Sequence, residues 1–210
     1  SIGQASFCAA IAHYIFYAAS APIEVPIALV TILASVTLGV PVWTYAARYI
    51  SKRLCWVLGA MLAIIAQIVV YSLNVESAAV LVALLVTIGF GTSSYIVMMW
   101  AMLPDTIEFG EWKSGLRDEG VVFGVNQFSI KSANGIGIAL LGFVLGIGGF
   151  VAGTEQSSNT QFVLNTTALL VPAICSAGAV LIIWFYPIDR KTHQKLVEEL
   201  GATSETAHWQ

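Results

Sequence analysis

Six long apolar segments, separated by short polar breaks, constrain this chain more than any other feature of its sequence. They run over roughly 3–20, 24–47, 54–73, 78–103, 120–150 and 163–187. A hydrocarbon core of ~30 Å is crossed by about 20 apolar residues in an α-helix. No water is available there to bond a free backbone amide, so the helix is the conformation such segments must take. With 58% hydrophobic and 10% charged residues, the 210-residue chain lies far outside the range of soluble domains. The expected fold is an all-α integral membrane bundle of six transmembrane helices, over 1–187, followed by a tail over 188–210.

Basic residues set the orientation. Arg48, Lys52 and Arg53 lie between the second and third spans, Lys113 and Arg117 between the fourth and fifth, and Arg190, Lys191 and Lys195 after the sixth. The opposite connections, around Glu24, Glu76 and Glu155, carry no Lys or Arg. The positive-inside rule therefore predicts cytoplasmic loops at 48–53 and 104–119, with both termini on the same side. In the tail, Leu196, Val197 and Leu200 among charges fit either a short amphipathic helix or a solvated end. The chain starts at Ser1 inside an apolar segment, without a cleavable signal, and reads as a piece of a longer polypeptide.

One charge breaks the pattern. Lys131 sits inside the fifth apolar segment, and a charge buried in hydrocarbon costs several kcal/mol, so such residues usually mark a substrate, ion or proton path. The helix is expected to open at Glu119 and Gly120, which at ~1.5 Å per residue places Lys131 near the bilayer midplane. Steps of three and four put Gly124, Gln127, Lys131, Gly135, Ile138, Gly142 and Gly146 on one face, with Asn134 beside it and Asn126 next to Gln127. The glycines admit a partner helix or leave room for a ligand. Lys131, Gln127, Asn126 and Asn134 offer donors to a sugar hydroxyl, a carboxylate or a partner acid. The competing reading is a lysine that snorkels or makes a packing salt bridge.

Elsewhere the polar signals are weaker. The fourth segment carries Thr87, Gly89, Gly91 to Ser94, Tyr95 and Trp100, and an aromatic ring beside polar groups can stack on a sugar or simply anchor at the interface. His13 and Tyr17 are one turn apart in the first segment and can face a cavity, although a lone membrane histidine is more often a packing residue. Cys8, Cys55 and Cys175 lack metal-site spacing and read as small hydrophobes. A net charge of −3 gives no reason to expect a nucleic-acid partner. The sequon at Asn165-Thr166-Thr167 is assigned no function. In the 104–119 connection, Asp105, Glu108, Glu111, Lys113 and Arg117 have the density of an ion-pair latch that is made in one conformation and broken in another. A solvated loop with surface pairs of ~0–1 kcal/mol is the alternative.

The run MLPDTIEFGEWKSGLRDEG (Met102–Gly120), followed by FGVNQFSIKSANGIG (Phe123–Gly137), resembles the glycoside–pentoside–hexuronide:cation symporters. These form the melibiose-carrier-like branch of the major facilitator superfamily, and the resemblance is to their C-terminal half, helices seven to twelve, over nearly the whole chain. It implies cation-coupled sugar transport by alternating access in the bacterial inner membrane. Sugar and coupling cation (Na+ or H+) are the implied ligands, no other cofactor is implied, and the bilayer and an N-terminal six-helix half, from a missing segment or a second chain, are the implied partners. Lys131 then matches a helix-eleven lysine of the central cavity, and Asp105, Glu108 and Arg117 match a cytoplasmic charge network. Ile96 stands where melibiose carriers have a tryptophan, so the substrate need not be a galactoside. Two other classes compete: a lipid or lysolipid carrier of the same fold, and an intramembrane transferase holding Mg²⁺ on Asp105, Glu108 and Glu111.

Overall fold

The computed structural model describes residues 2–19, 21–73, 75–154 and 156–185. The tail with Leu196, Val197 and Leu200, and the side chain of Cys8, lie outside the described residues. Among the described residues six helices form the bundle: α1 (Ile2–Tyr17), α2 (Val25–Tyr49), α3 (Lys52–Ser72), α4 (Ala78–Ser114), α5 (Glu119–Ile147) and α6 (Ser158–Trp184). By length and composition α2 to α6 can each cross a membrane, while the 16 helical residues of α1 fall short of that length. Helix starts follow side-chain chemistry. Ser51 accepts a hydrogen bond from Leu54 N–H and Ser157 from Thr160 N–H, each satisfying an amide that has no partner in the first turn. Within α2, Thr31, Ser35, Thr37 and Thr44 donate to carbonyls one turn back, which is how a membrane helix carries hydroxyls without leaving donors unmade.

Two boundaries differ from the sequence expectation. Residues 104–114, expected as part of a loop, continue α4, and the turn at 115–118 is much shorter. Pro104 does not end the helix: α4 runs through it to Ser114. Gly115 ends it, with a positive φ of 72° that a side chain would disfavour. The last segment begins earlier than expected, at Ser158, and is interrupted by a π-turn over Thr166–Leu170 ahead of Pro172.

α4 is the central helix. It packs against α2 on one side and α3 on another, while α1 packs on α5 and α6. Lipid tails are as apolar as leucine, so these contacts are held by close packing and interhelical hydrogen bonds rather than by exclusion of water. At one end Phe7, Ile11, Leu81, Leu85, Ile88, Leu164 and Leu169 form the main core. At the basic end Trp43, Cys55, Met98 and Met102 form a second. Small residues set the crossing distance. A Cβ on Gly91 would lie 2.5 Å from Gly59 O and 2.8 Å from Ala63 N, so α3 and α4 touch backbone to backbone. Ser94 Oγ donates to Cys55 O at 2.7 Å beside this crossing, and Trp43 Nε1 donates to Phe90 O at 2.9 Å between α2 and α4.

Candidate functional site

α5 presents the opposite situation. Gln127, Lys131 and Asn134 are exposed, and among the described residues Lys131 makes no ion pair. A Cβ on Gly124, Gly135, Gly142 or Gly146 would meet nothing within 4 Å. The packed side of the helix, marked by Ala133, Gly137, Leu141 and Leu145, is a different one. Asn126 belongs to neither extreme: it is half-buried, with its Nδ2 enclosed and without a hydrogen-bond partner. Lys131 lies twelve residues beyond the first residue of α5, ~18 Å along the axis. The face therefore carries an ammonium group and two or three carboxamides, able to donate to and accept from a polyhydroxylated or anionic ligand.

The aromatic candidates separate. Tyr95 turns toward α3, its ring 5.0 Å from that of Trp56. Ile96, one residue on and so ~100° around the helix, is 41% exposed, and Trp100, one further turn along the same stripe, is 44% exposed. Tyr17 serves the other end of the bundle. Its hydroxyl accepts Gly153 N–H at 3.0 Å and its ring packs edge-on against Phe150, which also meets His13. Phe150 lies nineteen residues beyond Lys131, so the structure does not bring Tyr17 or His13 to the Lys131 face.

The charged residues form two groups rather than one network. Asp105, almost buried, pairs with Lys52 at the start of α3, and both of its oxygens lie 2.8 Å from Lys52 Nζ. Lys52 also donates to Ala101 O, next to the Trp100 carbonyl whose helical donor Pro104 lacks. Arg117 instead bridges Glu111, at 3.0 Å, and Glu119, at 2.7 Å, across the α4–α5 turn. The hydrogen bond that Arg117 donates to Glu119, then the two carboxylate charges, hold the guanidinium pKa above its ordinary value. Glu108 is half-buried one turn after Asp105, and Lys113 is exposed. Lys52 was legible in the sequence only as a basic-loop residue, since its partner is 53 residues away. The same holds for Arg53, whose guanidinium lies 4.8 Å from the Trp184 ring and donates to Trp184 O. Among the described residues no three His, Cys, Asp or Glu side chains are grouped to hold a metal, and two of the three carboxylates proposed for Mg²⁺ are engaged by Lys52 and Arg117.

The model of the MFS/sugar transport protein family matches residues 1–190. The chain belongs to that family. Its members are transporters, not enzymes, and the all-helical bundle fits part of a major facilitator fold, as the resemblance in the α4–α5 segment implied. The chain is 30% identical over 151 residues to the glucuronide carrier protein homolog of Escherichia coli (strain K12), covering 72% of this chain and 33% of that protein. It is 31% identical over 172 residues to the isoprimeverose transporter of Lactiplantibacillus pentosus, covering 78% and 34%. A putative sulfoquinovose importer of Salmonella typhimurium is 32% identical over 124 residues, covering 57% and 25%. The chain thus spans about a third of the length of the first two of these relatives and a quarter of the third.

Proposed function

We propose that this chain is the C-terminal half of a secondary active transporter that carries a sugar or glycoside, coupled to Na+ or H+, by alternating access. A second six-helix half, from a preceding segment or another polypeptide, completes it. The open face of α5 carries this reading: an ammonium group with carboxamides along one side, beside Gly124, Gly135, Gly142 and Gly146 that meet no neighbour, needs a water-lined cavity to offset the several kcal/mol of its exposure to lipid. Lys131, Gln127, Asn134 and Asn126 bind substrate hydroxyls or an acidic group, and the exposed Ile96 and Trp100 stripe supplies an apolar wall. The names of the relatives, which refer to glucuronide, isoprimeverose and sulfoquinovose, support a sugar-like cargo.

In the same reading both termini and the basic end face the cytoplasm of a bacterial inner membrane. The Lys52–Asp105 and Glu111–Arg117–Glu119 pairs there stabilise one of the two access states. Cysteine introduced at Ser158 is then labelled by an impermeant thiol reagent from outside the cell and one at Ser114 is not; the reverse pattern overturns the orientation. The binding role is tested by Lys131→Met in the complete transporter, which removes the charge and its donors while keeping much of the stem. Uptake collapses while insertion and expression persist. Normal affinity and coupling in that variant would falsify the assignment.

A further inference from the structure

Gln67 of α3 is 4% exposed, yet its Oε1 has no hydrogen-bond partner. Such a buried acceptor calls for a donor, and a bound water is a common one. What lies opposite follows from helix register. Tyr71 Oη lies 3.5 Å from Thr166 Oγ1, and Arg53 Nη1 donates to Trp184 O. The two contacts are separated by equal lengths of α3 and α6, which run antiparallel. Gln67 therefore stands at the level of the π-turn, which packs on α3.

The π-turn has a local cause with a second consequence. Val171 N–H reaches back to Thr166 O instead of Thr167 O, and residue 172, the next possible donor, is a buried proline without an N–H. Thr167 O thus loses both donors that would reach it along the helix. Asn165, immediately before the turn, also has its Oδ1 buried and unpaired. Gln67 Oε1 and Thr167 O are both acceptors. The species required must be small, donate two hydrogen bonds and fit between packed helices, and water meets all three conditions. Hydroxyls of Tyr71 and Thr166 border the place and, at 3.5 Å apart, are themselves at the limit of a direct bond.

We infer that an ordered water occupies the α3–α6 seam, donating one hydrogen to Gln67 Oε1 and the other to Thr167 O, so that the π-turn is a hydrated joint in α6. A high-resolution map of the purified protein shows density within hydrogen-bond distance of both oxygens; a seam without density overturns the inference. A double-mutant cycle gives a second readout. Gln67→Leu expels the water and leaves Thr167 O unpaired, lowering the thermal midpoint by ~2–4 °C. Pro172→Ala restores the missing N–H and lets α6 close without needing the water, so in that background the same substitution has less than half the effect. An equal effect in both backgrounds, whether a fall or no change, means that Gln67 acts by packing alone and also overturns the inference.

Discussion

Glycine is used in opposite ways on α4 and α5. On α4, Gly89 and Gly91 are enclosed: a Cβ at Gly89 would lie 2.9 Å from Ile32 O of α2, and one at Gly91 still closer to Gly59 O of α3. On α5, Gly124, Gly135, Gly142 and Gly146 have open space where a Cβ would stand. The first set brings backbones together where dispersion and short hydrogen bonds are the only cohesive forces available. The second leaves a smooth, partly polar surface around Lys131. A glycine stripe in a membrane helix is therefore not in itself a packing signal; the atoms opposite it decide.

The largest predicted effect breaks the enclosed set. Gly91→Val places side-chain atoms against the Gly59 carbonyl and the Ala63 amide, which are backbone and cannot rotate aside. Overpacking usually costs ~1–3 kcal/mol, and here the upper end or more is expected. In size-exclusion chromatography after heating, Gly91→Val loses its folded peak well below the wild-type midpoint. An unchanged midpoint would show that α3 and α4 are not in backbone contact.

The two informative lysines sharpen the same contrast. Lys52 is tied into the enclosed region, and Lys52→Met leaves the nearly buried Asp105 without this partner. Removing one member of a fully buried pair costs ~3–5 kcal/mol. Because the Lys52 side chain is 37% exposed, about 1–3 kcal/mol is expected, read as a lowered thermal midpoint. Asp105→Asn together with Lys52→Met recovers part of that loss. Lys131→Met, on the open face, changes the midpoint little, and equal destabilisation by the two substitutions would erase the distinction between them.

How much of this was legible beforehand depended on whether a property was local. The helical bundle, and the start of α5 at Glu119, follow from bilayer thickness and from polar residues at helix ends, although α1, expected as a sixth span, has only 16 helical residues among those described. The extension of α4 past Pro104 did not, because proline and the charges that follow it read as a break, whereas membrane helices tolerate proline. Tyr95 and Ile96 differ by a single residue step, and only the position of Trp56 shows which of them turns inward. The Lys131 face was legible as a stripe, since its members share one helix. The Lys52–Asp105 pair joins two helices and was not.

A smaller effect is expected at the α4–α5 turn. Arg117 and its partners Glu111 and Glu119 lie on the surface, where ion pairs contribute ~0–1 kcal/mol and are screened by salt. Arg117→Gln changes the thermal midpoint by no more than that, and the difference shrinks at high ionic strength. A gate role would appear instead as altered cysteine accessibility at the basic end in the complete transporter. A loss as large as that of Lys52→Met would place Arg117 with the enclosed region.

The smallest predicted effect is the most direct test of the open face. Gly142→Ala adds one methyl group where nothing lies within 4 Å, so the stability of the bundle should move by less than ~0.5 kcal/mol in either direction. The matching substitution Gly91→Ala, which places its Cβ against backbone, serves as the enclosed control and lowers the midpoint measurably. The pair separates three cases. If both are neutral, neither glycine set brings helices together. If both destabilise, α5 is packed by elements of this bundle and its Gly face is no cavity wall. If Gly91→Ala destabilises while Gly142→Ala leaves the midpoint intact, the contrast stands; transport assays of larger residues at position 142 then show whether the open space is used by a substrate or by the approach of the other half.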